Sequence, residues 1–187
     1  MRVIAGEAKG RTLVAPKGTG TRPATDRIRE TLFAILEPDL PGARVLDLFA
    51  GAGTMGLEAL SRGAARVTFV ERATPALEAL RKNIAATGFG DRSEVLAANV
   101  ISVLDRGGRD AYDIVFADPP FADVAVLEAT LAHPRLAASL APDATVIARV
   151  LRKHPPALPQ NARLARTKQI GEEDLLFLRY SVAGGGG

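Results

Sequence analysis

Two short segments of this 187-residue chain carry residue types that can do chemistry. The first is Asp118-Pro119-Pro120-Phe121, directly after the apolar run 112–117. The exocyclic amino group of a nucleic-acid base is a poor nucleophile, because its lone pair is delocalised into the ring. A carboxylate oxygen of Asp118 and the backbone carbonyl of Pro119 can each accept one of its N–H bonds. Those bonds orient the nitrogen and stabilise the positive charge that develops during attack. Pro119 and Pro120 stiffen the loop and leave their carbonyls available, and the ring of Phe121 can stack on a base. The plain alternative is a proline-rich turn with a surface phenylalanine.

The second segment is residues 45–56, VLDLFAGAGTMG. Ala50, Gly51, Gly53 and Gly56 follow a strand-like run and let the backbone come close to a ligand. Alone, this spacing fits any nucleotide site, or merely a tight strand-to-helix turn. Asp47 sharpens the reading: a carboxylate there repels a pyrophosphate and attracts the α-ammonium of a methionine moiety. Glu71 ends the next strand-like run and can accept hydrogen bonds from both ribose hydroxyls. The pair suits S-adenosylmethionine (SAM) better than a dinucleotide. Asn99, after a third run, can bond an adenine edge through its amide or cap a helix.

Alternating elements must position these groups. Runs at 44–49, 66–71, 94–98, 112–117 and 145–150 read as buried strands. Helices are expected over 54–62, from Pro75 to Thr87, from 99 to 104, and within 123–140. Gly88 suits a helix C-terminus. This order predicts an α/β fold with a mainly parallel sheet. Prolines 155, 156 and 159 exclude a helix interior, and 163–170 with 174–181 read as a closing antiparallel hairpin. Ahead of the sheet, 2–5 and 11–14 read as a hairpin or two short strands. A helix over 26–36 is capped by Thr25, carries Ile28, Leu32, Ile35 and Leu36 at helical spacing, and is ended by Pro38.

Cysteine is absent and His133 and His154 are the two histidines, which excludes disulfides and cysteine-based metal sites and speaks against a metal cluster. The N-terminus lacks a signal-peptide core, and no apolar run reaches membrane-spanning length, so a cytoplasmic protein is expected. Residues 1–29 hold seven basic side chains (Arg2, Lys9, Arg11, Lys17, Arg22, Arg27, Arg29) against two acidic ones; the rest of the chain holds 17 basic and 19 acidic. A basic arm on a faintly acidic body suits a polyanion, although a solvated basic surface reads the same way. Arg2, Lys9, Arg11, Arg22, Arg27 and Arg29 are the candidate RNA contacts.

The segments RVIAGEAKGR, TRPATDRIRETLFAIL, VLDLFAGAGTMGLEALSRGA, VTFVE and DPPF, in this order, resemble the RsmD-type bacterial 16S rRNA guanine-N2 methyltransferases, over about residues 1–181. The resemblance implies a seven-stranded, Rossmann-like SAM-methyltransferase fold, with SAM as donor and guanine N2 in 16S rRNA, free or in the 30S subunit, as target. It implies a catalytic loop of Asp118 to Phe121, a SAM site lined by Asp47, Gly51, Gly53 and Glu71, and RNA contacts from the N-terminal elements. Three departures stand out: Ala24 where Thr is usual, Asn99 where Asp is usual, and Arg149 where an acidic residue is frequent. None of them is expected to touch the catalytic loop. The expected organisation is an RNA-binding extension at 1–37, a methyltransferase core at 38–183 and a disordered glycine tail at 184–187, in a monomer without metal or membrane. The rival readings are a DNA adenine or cytosine N-methyltransferase, disfavoured by the lack of room for a DNA-reading domain; a nicotinamide-dependent oxidoreductase; and a non-catalytic ribosome-assembly factor.

Overall fold

Helix α1 (Asp26–Leu36) begins at Thr25, whose hydroxyl accepts the Ile28 N–H at 3.3 Å. A cap of this kind contributes about 1 kcal/mol. Ile28, Leu32, Phe33 and Leu36 form its buried stripe, and the chain passes through a short 3₁₀ turn containing Pro38. The computed structural model describes residues 1–16, 24–107 and 111–181. Ahead of α1, the anticipated hairpin shrinks to a single antiparallel bridge, Arg2 to Thr12. Gly6 and Gly10 turn the intervening chain too tightly for a longer ladder.

The body alternates strands and helices: β1 (Arg44–Asp47), α2 (Thr54–Ser61), β2 (Arg66–Glu71), α3 (Thr74–Thr87), β3 (Ser93–Ala97), α4 (Val100–Arg106), β4 (Tyr112–Ala117), α5 (Val124–Leu131), α6 (Pro134–Ala138), β5 (Leu140–Leu151), β6 (Ala162–Ile170) and β7 (Glu173–Tyr180). The seven strands lie in the order β3-β2-β1-β4-β5-β7-β6. The first five are parallel; β7 pairs antiparallel with both β5 and β6. The expected helix within 123–140 is two helices, because Pro134 opens a new one behind the His133 cap. Strand β5 starts earlier than its apolar run, crossing Pro142 and Asp143 (φ 60°) with a register shift opposite Tyr112 and Ile114.

Apolar side chains fill both faces of the sheet. On one face Phe69, Ile114, Phe116 and Ile147 pack with α1, α2 and the N-terminal Val3, Ala8 and Leu13. On the other, Val115, Val146 and Ala148 pack with α4, α5 and α6. The described residues 1–16 and 24–37 therefore contribute to the same core as the body. Polar ties hold them down as well. The fully buried carboxylate of Glu58 on α2 accepts the Ile4 and Ala5 N–H groups at 2.8 and 3.0 Å. Ser61 accepts the Ala8 N–H and donates to the Ala5 carbonyl. Asn83 on α3 exchanges two bonds with the Val14 backbone and donates a third to the Ala52 carbonyl at 2.9 Å.

Candidate active site

The strand order reverses between β1 and β4, so the segments leaving these two strands open on the same carboxyl edge. In open α/β sheets such a switch point is where ligands bind. Asp47 is paired with Phe116, which places the glycine turn after β1 and the Asp118 loop after β4 side by side.

Asp47 is 2% exposed, and its Oδ2 accepts the Gly56 N–H at 3.1 Å. Burial pushes its carboxyl up to about 7; the Gly56 N–H pulls it down, while the charges of Asp118 and Glu71 push it further up. A buried carboxylate held this far above its ordinary range is poised to receive a cation. The turn beyond it needs glycine for two reasons. Gly53 caps α2 at φ 82°, and a Cβ there would stand 2.4 Å from Leu80 Cδ1. At Gly56 a Cβ would meet Phe69 Cε1 at 2.3 Å, so this glycine sets how closely α2 rests on β2.

Glu71 closes the turn from the β2 side. Its Oε2 accepts the N–H of Gly51 at 2.8 Å, and its Oε1 those of Arg72 and Ala73 at 2.7 and 2.8 Å. These bonds fix the carboxylate at the strand end; both lone pairs of Oε1 are engaged, and Oε2 keeps one for a ribose hydroxyl, so the expectation that Glu71 accepts from both hydroxyls is corrected to one. Ala50, whose N–H bonds the Val70 carbonyl, is buried between the two strands. Asn99 caps α4, accepting the Ile101 N–H at 2.9 Å, so the NH₂ end of its amide is the part suited to an adenine edge.

Asp118 follows β4 directly, with its side chain 15% exposed. Pro119 is buried, Pro120 exposed and Phe121 intermediate. The Pro120 carbonyl is used within the turn, accepting the Asp123 N–H at 2.8 Å. That leaves the Pro119 carbonyl as the better partner for a base. The residue that sequence reasoning missed is Arg149 on β5, 6% exposed. Its Nε donates to both Asp118 oxygens at 2.9 and 3.0 Å, its Nη1 to Glu173 Oε2 at 3.1 Å, and its guanidinium carbon lies 4.7 Å from the Phe121 ring centroid. The expectation that the departures stay clear of the catalytic loop is thus corrected at Arg149. Burial pushes the Asp118 carboxyl above its ordinary range, Arg149 pulls it back, and Glu173 adds to the upward push.

Of the six cations assigned to RNA, Arg2, Lys9, Arg11 and Arg27 are exposed; Arg22 lies outside the described residues. Arg29 is a correction. It is 1% exposed, donates to Asp26 Oδ1 at 2.8 Å and to the Arg2 carbonyl at 2.9 Å, and stands 3.6 Å from Glu58 Oε2. It falls between Ile28 and Leu32 on the buried stripe of α1, a placement that helical periodicity alone could have flagged. Among the described residues no group of three or more His, Asp or Glu side chains is arranged to hold a metal ion, and no helix is long and apolar enough to cross a membrane.

With this geometry in hand, similarity to other proteins is informative. The family model described as "Conserved hypothetical protein 95" matches residues 1–179. The ribosomal RNA small subunit methyltransferase D of Escherichia coli K12 is 39% identical over 173 residues, 92% of this chain and 86% of that protein. The chain belongs to the ribosomal RNA small subunit methyltransferase D family. Its fold agrees with that of solved structures. The Escherichia coli protein yhhF superposes with a TM-score of 0.85 at 36% identity, covering 97% of this chain and 98% of that one. An RNA methyltransferase from Salinibacter ruber, in complex with S-adenosyl-L-homocysteine, shares the fold at a TM-score of 0.64 and 16% identity, over 83% of this chain and 92% of that one. Membership in the methyltransferase D family rests on similarity that runs through the N-terminal arm and the sheet alike.

Proposed function

We propose that the chain transfers a methyl group from SAM to the exocyclic N2 amine of a guanine in 16S rRNA, presented by the small subunit or an assembly intermediate. The observation that carries this reading is the adjacency of Asp118 and the β1 glycine turn on one edge of the sheet. SAM, when bound, supplies an electrophilic methyl on a sulfonium. The donor set fits it: Asp47 for the α-ammonium, Glu71 Oε2 for a ribose hydroxyl, Asn99 for the adenine edge, and the backbone of Ala50, Gly51 and Gly53 for close approach. Asp118 and the Pro119 carbonyl then accept the two N–H bonds of the amine and hold its lone pair in line with the methyl. Phe121 stacks on the base, which must leave its surroundings to reach the loop. As positive charge builds on nitrogen, the Asp118 carboxylate stabilises it; the proton then leaves to Asp118 or to water. Arg2, Lys9, Arg11 and Arg27 support the reading as contacts to phosphate.

The test is incubation with labelled SAM and either naked 16S rRNA or unmodified 30S particles, followed by mass mapping of the labelled nucleoside. N2-methylguanosine is expected. Label on adenine, on cytosine or on protein would refute the assignment. Asp118→Ala should lower turnover by orders of magnitude while the SAM Kd measured by calorimetry stays within a few-fold; near-normal turnover would sink the mechanism.

A further inference from the structure

We propose that Arg149 is a positioning residue of the transfer site, fixing the Asp118 carboxylate and the Phe121 ring relative to each other, with Glu173 on β7 fixing Arg149 in turn. The inference rests on the reading of Asp118 as the group that holds the target amine. Three strands contribute. Asp118 is one residue beyond Ala117, which pairs with Ala148 on β5, so Arg149 is its lateral neighbour. Across β5 and β7, Arg149 pairs with Leu175 and Leu151 pairs with Glu173, which sets Glu173 diagonally beside the guanidinium on the same face.

Each interaction has a consequence. One Nε–H shared by both Asp118 oxygens sets the plane of the carboxylate. Each oxygen has two lone-pair sites, so the clamp leaves room on both for a base N–H. The guanidinium over Phe121 covers one face of the ring and leaves the opposite face for the base. The bond to Glu173 Oε2 keeps the guanidinium from rotating away from the loop. A cation this buried, touching two carboxylates and an aromatic ring, also favours the charged form of Asp118, and so keeps both of its oxygens available as acceptors. A merely structural ion pair would show in folding stability, not in the rate of transfer at constant SAM affinity.

The test uses the full-length chain with Arg149→Met and Arg149→Lys. Three quantities are measured: single-turnover methylation of 30S particles, the SAM Kd by calorimetry, and the Asp118 carboxyl titration by ¹³C NMR of aspartate-labelled protein. Arg149→Met should slow transfer by about tenfold or more, hold the SAM Kd within about twofold, and move the Asp118 titration up by about one pH unit or more. Arg149→Lys keeps the charge but not the planar fork. It should hold the titration near wild type and still slow transfer several-fold. If Arg149→Met does not fold, Glu173→Gln carries the test: with the guanidinium no longer held, single-turnover transfer should slow several-fold at an unchanged SAM Kd. An unmoved titration in Arg149→Met overturns the proposal, as does wild-type transfer in Glu173→Gln or a loss confined to KM for RNA. The NMR arm needs no RNA: if the wild type methylates nothing, the functional reading fails while the hold of Arg149 on Asp118 is still measured.

Discussion

Asp47 gives the most quantitative handle on the site. Its carboxyl sits at about 7 in the unliganded fold, against an ordinary value of 3.8, with burial as the first cause. Only the ionised form attracts the α-ammonium of SAM. The ionised fraction falls from roughly three quarters at pH 7.5 to about 3% at pH 5.5, so the SAM Kd should rise about 25-fold across that window, on the order of 2 kcal/mol. Calorimetry at four pH values, with buffers of differing ionisation enthalpy to count released protons, is the assay. The same proton governs stability, with the sign opposite to that of a salt-bridged aspartate. Between pH 3.8 and about 7 the folded chain keeps a proton that the unfolded chain has lost, so apo stability falls as pH rises, by up to about 4 kcal/mol, and the loss is complete above about pH 7. Asp47→Asn, which can keep the Gly56 bond, should flatten both profiles, weaken SAM binding at pH 7.5 and melt higher than wild-type apoprotein at pH 8. A wild-type SAM Kd that stays flat from pH 5.5 to 7.5 would refute the reasoning.

Other perturbations have definite outcomes. Glu58→Ala removes one of the two carboxylates beside the buried Arg29, leaving it Asp26, and frees the Ile4 and Ala5 N–H groups; a loss of about 3 kcal/mol is expected in urea denaturation, with faster proteolysis of the N-terminal arm. Gly53→Ala places a side chain at φ 82° against Leu80, and should weaken SAM binding by calorimetry and cost about 1–3 kcal/mol in stability. Replacing the exposed Lys9 and Arg27 with alanine should reduce the slope of log Kobs for RNA against log salt by about 0.7–0.9 for each phosphate left without its cation, while SAM affinity stays unchanged. The matching replacement of Arg29 should act through unfolding rather than through that slope.

Strands β2 and β4 were legible to the residue, because each is a short run rich in β-branched and aromatic residues, Val67 to Val70 and Ile114 to Ala117 at their centres, bounded by turns. The start of β5 was not: its first residues include Pro142 and Asp143, which no strand pattern favours, and pairing with β4 carries the strand past them. The paired loops at the carboxyl edge were legible because strand–helix alternation implies a parallel sheet, whose strands all end on the same edge. Arg149 was visible as an oddity, since a cation inside a central strand needs a partner. Its partners lie 31 residues back and 24 ahead, joined only by the sheet order. Arg29 was misread because its cluster of charges outweighed its place on the helical stripe.

Asn83 has a consequence for how the two substrates sense each other. A single amide grips Val14 in the arm and Ala52 in the glycine turn proposed for the methyl donor. Tension on one end is borne by the other. If a polyanion on the arm shifts this amide, thermodynamic reciprocity requires the donor to alter the polyanion's affinity by the same factor. Asn83→Ala removes this tether and leaves those through Glu58 and Ser61 in place, so it should reduce the coupling rather than abolish it.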